Sequence, residues 1–193
     1  ADVAGYSRLM GDDERATMEL LEVCRGVFRA RIAKHDGHVV DTAGDSVLAS
    51  FASVVEAVKC AVAVQGGLAG HNADLPEDRR MLFRIGINLG DVFEQADGSL
   101  YGDGVNVAAR LESLAEPGGI CLSGSAHEQV DGKTDLAFED LGEHQVKNIA
   151  RPVRVWRVVA GEQQAPAESL ALPDKPSLAV LPFDNLSRDP EQE

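Results

Sequence analysis

Leu20, Cys24, Phe28 and Ile32 recur at every fourth position, which predicts one apolar stripe on a long helix ending near Lys34. Asp36-Gly37 breaks that pattern. The period then changes in VVDTAGDSVLASF at 39–51. Val39 and Val40 lead into a turn at Ala43-Gly44, and Val47, Leu48 and Phe51 lead out, which predicts a hairpin with Asp45 at its tip. Ser53 and Glu56 form a capping-box pattern ahead of a second helix, whose apolar face is Val54, Ala57, Val58, Ala61, Val64 and Leu68. The polar segment 69–80, with Pro76, predicts a loop.

MLFRIGINL at 81–89 is nearly continuous in apolar character and predicts a central strand. Residues 90–93 either continue it or turn into a partner, with a turn at Ala96-Asp97-Gly98. A third helix starts near Gly104 or Val105 and runs to Leu114, and Pro117-Gly118-Gly119 ends that unit. Ile120, Cys121 and Leu122 predict a short strand, and Ser125 with Glu128 predicts a short capped helix. Strands are expected over 135–141 and 153–159 around a turn at Gly142-Glu143, with 147–152 as the joining loop. At the front, residues 1–7 read as a strand end and a glycine turn, and a helix begins in 10–13. This order predicts an α/β (α+β) fold: a ferredoxin-like palm with a mixed, mainly antiparallel sheet and C-terminal αβ additions. One core domain spans 1–160, a linker rich in Gln, Ala, Pro and Glu spans 161–175, and SLAVLPF at 177–183 signals a new strand, which reads as the first of a truncated C-terminal region over 176–193 in preference to a strand that docks on the core.

Composition narrows the partners. The 193 residues carry 18 basic and 32 acidic side chains, a formal charge of −14, which argues against a nucleic-acid backbone or an anionic membrane surface as ligand. A small phosphate ligand remains open, because bound metal can supply local positive charge. Cys24, Cys60 and Cys121 are scattered without a CxxC pair, which implies free thiols in a reducing, cytoplasmic setting. No stretch approaches the ~18 apolar residues of a membrane span.

Two groups of residues carry candidate chemistry. Asp2 and Asp45 each stand beside apolar strand residues and a glycine turn. Taken alone they read either as two turn aspartates or, if their strands are neighbours, as a carboxylate pair that repels unless a cation neutralises it. Hard oxygen ligands suit Mg²⁺ or Mn²⁺. The second group is YGDGVNVAARLE at 101–112. Gly102 and Gly104 permit a tight entry to a helix, and Asn106 and Arg110 are four apart on one face. Arginine offers a planar fork for phosphate, and asparagine can serve a sugar hydroxyl, although Arg110 alone also reads as a solvated surface residue.

ADVAGYS at 1–7, TAGDSVLASF at 42–51, FRIGINLGDV at 83–92 and YGDGVNVAARLE at 101–112 occur in the order and spacing of one family. The chain resembles the class III nucleotidyl cyclase catalytic domain, the adenylate/guanylate cyclase domain. PSLAVLPFDNLSRDPEQE at 176–193 resembles the opening of a region that follows such domains in some bacterial proteins. The resemblance implies that Asp2 and Asp45 bind two divalent ions, Mg²⁺ or Mn²⁺. It implies that Asn106 orients the ribose, Arg110 stabilises charge on the transferring phosphorus, and the backbone of Val3, Ala4, Gly5, Tyr6 and Ser7 wraps the phosphates. It further implies a head-to-tail homodimer, with the metal ligands from one subunit and the Asn/Arg pair from the other, converting a nucleoside triphosphate into a 3′,5′-cyclic nucleotide and pyrophosphate.

The chain departs from the family at the base-reading positions. Asp41 stands where a lysine is usual, and Ser99 stands where Asp or Thr is usual. Aspartate only accepts hydrogen bonds, so it suits an exocyclic amine of adenine or the N1 and N2 of guanine. ATP is the favoured substrate over GTP on the general resemblance. A catalytically degenerate domain serving regulation or dimerisation is the alternative. The segment between Val92 and Tyr101 is short, and no arginine or lysine in it matches the family's group for the terminal phosphates; Arg84, embedded in its strand, is a poor substitute.

Overall fold

A computed structural model describes residues 1–96, 98–145 and 152–159. The expected linker, the strand signal at 177–183 and nearly all of the joining loop at 147–152 lie outside the described residues. In chain order the elements are β1 (Asp2–Val3), α1 (Tyr6–Asp12), α2 (Glu14–Lys34), β2 (Gly37–Asp41), β3 (Leu48–Phe51), α3 (Val54–Asn72), β4 (Phe83–Ile87), β5 (Phe93–Glu94), β6 (Leu100–Tyr101), α4 (Asp103–Leu114), β7 (Ile120–Ser123), α5 (Gly124–Val130), β8 (Ala137–His144) and β9 (Val153–Val159). The main sheet runs β1-β4-β7-β9-β8, and β2-β3 and β5-β6 form separate two-stranded ribbons. Only β4 and β7 pair in parallel; the other neighbours in the main sheet are antiparallel. This is the mixed, largely antiparallel sheet with flanking helices that the sequence implies.

Both faces of the sheet are covered, which explains the run of apolar residues in β7. Ile120 and Leu122 join the large cluster with Phe28, Val58, Val64 and Phe83, while Cys121 turns to a smaller cluster with Val107, Leu111 and Val155 beneath α4. The period of two in a strand thus serves two cores at once. Burial keeps the Cys24 and Cys60 thiols protonated, pushing each up to about 11.

Several boundaries differ from the sequence reading for identifiable reasons. Gly5, at φ 71°, turns the chain straight into α1, so that helix starts at Tyr6 rather than within 10–13. Asp13 then caps α2, accepting from Ala16 N at 3.0 Å. Ser53 caps α3 by accepting from Glu56 N at 3.4 Å, but Glu56 does not complete the box. Its carboxylate instead meets His35 at 2.7 Å and Lys59 at 3.1 Å. The helix overshoots to Asn72, whose buried amide donates to Met81 O at 2.9 Å and accepts from Met81 N at 3.0 Å, standing in for a strand partner. Ser123, not Ser125, caps α5. Gly142-Glu143 is not a turn: Gly142, at φ 82°, makes a bulge, and β8 stays paired with β9 through His144 and Val153.

Helix α4 lies directly on β4 because Gly86 has no side chain. A Cβ there would sit 2.1 Å from Ala108 O and 2.3 Å from Glu112 N, both backbone atoms that cannot swing aside. Gly86→Ala should therefore destabilise the domain by about 3 kcal/mol or more. Thermal unfolding checks this; an unchanged midpoint would contradict the close packing of α4.

Candidate active site

Backbone pairing brings the two aspartates together. Ala1 N donates to Val47 O and Val47 N donates to Ala1 O, both at 2.9 Å, so the end of the hairpin loop docks on the residue before Asp2. Gly44, at φ 60°, sharpens the loop. Ser46 closes it from inside, its N–H and hydroxyl donating to Ala43 O at 3.1 and 2.7 Å. Arg25 of α2 closes it from behind, donating to Thr42 O at 2.7 Å and to Gly44 O.

In that position the Asp45 carboxyl neighbours the Asp2 carboxyl and the Val3 backbone. Partial burial raises the proton affinity of Asp45, and the neighbouring Asp2, with which it can share a proton, raises it further. The hairpin is not a neighbour of β1 in the main sheet, as β2 and β3 form a separate ribbon; the two residues approach through the docking of the 42–47 loop on Ala1. The expected hairpin is present, with its strands ending at Asp41 and resuming at Leu48, so Val47 belongs to the loop rather than to the outgoing strand.

Two further residues complete this corner. The β1–β4 register sets Arg84 opposite Asp2, and its guanidinium donates to Asp2 Oδ2 at 3.1 Å. The same group lies 3.9 Å from Glu112 Oε1 of α4. Burial raises the proton affinity of Glu112; Asp2 and Asp45 add to this, and Arg84 opposes it. From the sequence Arg84 reads as strand-embedded, and Glu112 carries no separate signal. An antiparallel register between residues 82 positions apart leaves no local signal, whereas Glu112 at least stood inside a recognised motif.

Asn106 and Arg110 occupy the exposed side of α4. The helix turns about 100° per residue, so Arg110 lies roughly 160° around the axis from Glu112. Since Glu112 faces Asp2 and Asp45, Arg110 faces away from them. Neither the Asn106 amide nor the Arg110 guanidinium makes a side-chain hydrogen bond or ion pair among the described residues. The chain does not bring its own two groups together.

A groove of about 440 Å³ lies between the β2–β3 ribbon and α4, lined by Asp41, Ser46, Phe51, Asn88, Ala109 and Glu112 among others. Asp41 is on its wall, with its carboxylate accepting from Thr42 N at 2.7 Å. Ser99 is one residue off the wall, beside the lining Leu100. The backbone from Val3 to Ser7 makes the tight passage from β1 into α1, with Ala4 N donating to Leu82 O at 2.8 Å.

The donor set fits a hard divalent ion. Two carboxylates converge, their mutual repulsion is partly offset by one arginine, and one carboxyl has raised proton affinity of the kind a cation relieves. Among the described residues no group of three or more His, Cys, Asp or Glu is arranged to hold a metal ion. Also among the described residues, no helix is long and apolar enough to cross a membrane.

Residues 1–160 match the family described as the adenylate and guanylate cyclase catalytic domain. The putative adenylate cyclase 3 of Rhizobium meliloti is 49% identical over 199 residues, covering 100% of this chain and 34% of the relative. Adenylate cyclase 1 of the same organism is 30% identical over 69% of this chain and 22% of the relative. The chain thus spans about a third or less of these curated relatives. Among solved structures, an adenylate/guanylate cyclase/hydrolase from Silicibacter pomeroyi is 42% identical, covers 83% of this chain and 93% of its own, and superposes with a TM-score of 0.73. The adenylyl cyclase CyaB from P. aeruginosa, at 24% identity and a TM-score of 0.72 over 84% of this chain and 92% of its own, shares the fold. The chain belongs to the class III adenylate and guanylate cyclase catalytic-domain family.

Proposed function

We propose that the chain is the catalytic domain of a nucleotidyl cyclase that converts ATP, in preference to GTP, into 3′,5′-cyclic AMP and pyrophosphate at a head-to-tail homodimer interface. The observation that carries this reading is the split geometry: the acidic pair faces one side of the domain, and the unpartnered Asn106 and Arg110 face another. A second copy reconciles them. Each subunit would supply Asp2 and Asp45 to one site and Asn106 and Arg110 to the other, giving two equivalent sites. Exposed apolar residues support such a surface. Phe93 and Tyr101 oppose each other on the β5–β6 ribbon beside α4 and are 74% and 53% exposed.

In this reading Asp2 and Asp45 hold Mg²⁺ or Mn²⁺, two ions per site, which when bound supply Lewis-acid activation of the 3′-hydroxyl and neutralise the triphosphate. The backbone of Val3, Ala4, Gly5, Tyr6 and Ser7 lies against the phosphates. Asn106 orients the ribose so that its 3′-oxygen is in line with the α-phosphorus. The new O–P bond forms as the bond to pyrophosphate breaks, and Arg110 stabilises the charge on the equatorial oxygens. Asp41 accepts from an exocyclic amine of the base, with Ser99 beside it. One observation favours a second reading, a degenerate nucleotide-binding or dimerising domain: Asp41, an acceptor-only carboxylate, stands where the family usually has a lysine donor.

Incubation at high protein concentration with ATP or GTP and Mn²⁺, followed by chromatography of the products, separates these readings. Cyclic AMP is expected as the main product; nucleotide binding with no cyclic product would select the degenerate domain. Asp2→Asn, Asp45→Asn and Arg110→Ala should each lower the rate by about 10²–10³-fold. Mixing Asp45→Asn with Arg110→Ala should restore about a quarter of native activity, because half of randomly paired dimers contain one intact site of two. No recovery on mixing would rule out a site shared between subunits. Asp41→Ala should lower kcat/KM for ATP relative to GTP; an unchanged ratio would remove Asp41 from base reading.

A further inference from the structure

Helix α4 meets β4 and its continuation at two points spaced alike on both elements. Residues 86 and 88 alternate onto one side of the strand, and their partners on the helix are four apart. Gly86 sits under Ala108, and the half-buried Asn88 reaches Gly104, its amide donating to Gly104 O at 3.0 Å. Two strand residues rise about 6.6 Å and four helical residues about 6 Å, so the two elements stay in step. A carbonyl oxygen has two lone pairs, so Gly104 O can take the Asn88 amide in addition to a helical partner. The surroundings leave no slack. A Cβ on Gly104 would lie 2.8 Å from Asp91 O, and a Cβ on Gly90 would lie 3.1 Å from Asn88 Nδ2 and 3.3 Å from Gly104 Cα. Gly102, which precedes the helix, gives no side-chain cap, so this end of α4 is held from the strand side.

We propose that Asn88 is a positioning residue that fixes the rotation of α4 and thereby aims Asn106 and Arg110 at the neighbouring subunit's substrate. This rests on the reading of Asn106 and Arg110 as the groups that one subunit lends to the other's site. Asn106 follows Gly104 by two residues and Arg110 by six, about 200° and 240° around the axis, so both leave the helix from the side opposite the Asn88 grip. A group ~6 Å from the axis moves about 1 Å for every 10° of helix rotation. Misplacement of that size can cost about 100-fold where reacting groups have to be aligned. Val107 and Leu111 also hold α4 down, in a cluster with Cys121 and Val155, but apolar contact is non-directional and sets no angle, whereas a hydrogen bond does. Asn88 also lines the groove that contains Asp41. A direct contact with the base there would make it part of the acidic half of its own subunit, which is the competing role.

Mixing variants assigns Asn88 to one half of the site. Asn88→Ala alone should lower kcat by about 10–100-fold. Mixed with Asp45→Asn it should recover to about a quarter of native activity, because half of the dimers then hold one intact site of two. Mixed with Arg110→Ala it should recover nothing, because every site then receives a damaged α4. Recovery with Arg110→Ala, recovery with neither partner, or a native rate for Asn88→Ala alone would each overturn the proposal. Asn88→Asp, the same shape with an acceptor in place of the donor, repeats the test if Asn88→Ala does not fold. Thermal melting followed by circular dichroism monitors both variants, and failure of both to fold would also overturn the proposal, by making Asn88 a stability residue alone. The mixture of Asp45→Asn with Arg110→Ala separates the two levels of the reading. If it recovers while the Asn88 pairings do not behave as stated, only the role of Asn88 falls; if it does not recover, the shared site falls with it.

Discussion

Two carboxylates held in one partly buried corner repel each other, and the fold accepts that repulsion. Asp2 is fixed by its strand, and Asp45 by a loop docked onto Ala1 through a reciprocal pair of backbone hydrogen bonds. The backbone at both positions is held by main-chain hydrogen bonds. The consequence is visible in Asp45, whose proton affinity is raised by burial and by its neighbour. Groups around the pair act as partial compensation. Arg84 answers Asp2, and Arg25 grips the loop carbonyls from the other side. A site arranged this way retains unsatisfied demand for positive charge, which is what a divalent ion supplies.

Helix α4 links this corner to the rest of the molecule. Its inner side places Glu112 beside Arg84 and buries Leu111 and Val107 against β7 and β9. Its outer side carries Asn106 and Arg110 into solvent. One rigid helix, seated on Gly86, thus fixes the distance and angle between the two halves of the site. In the proposed reading, halves on opposite faces would leave a single chain incomplete and tie activity to association. That coupling offers a natural point of control, since anything that changes the pairing of two domains changes the number of complete sites.

The fold class and the acidic pair were legible in the sequence because their signals are local or belong to one family's motif order. The four-residue stripe of α2, the apolar run of β4 and the GD turn each survive in the structure. What was not legible depends on contacts between distant segments. Glu56 abandons its capping box because His35 and Lys59 are within reach. Helix α3 runs to Asn72 because that side chain can pair with Met81. Gly142 is a bulge rather than a turn because β9 continues to pair beyond it. Arg84 was passed over for the same reason: nothing near it in the chain announces that Asp2 is its partner across the sheet.

The central claim is that the acidic corner of one subunit faces Asn106 and Arg110 of another across a bound divalent ion. Anomalous diffraction from crystals grown with Mn²⁺ and a non-cyclisable ATP analogue tests it most directly. The account predicts a manganese peak between Asp2 and Asp45, with Arg110 of the partner subunit on the phosphate side. Manganese bound elsewhere, or Asp2 and Asp45 facing solvent with no partner's α4 opposite, would contradict it.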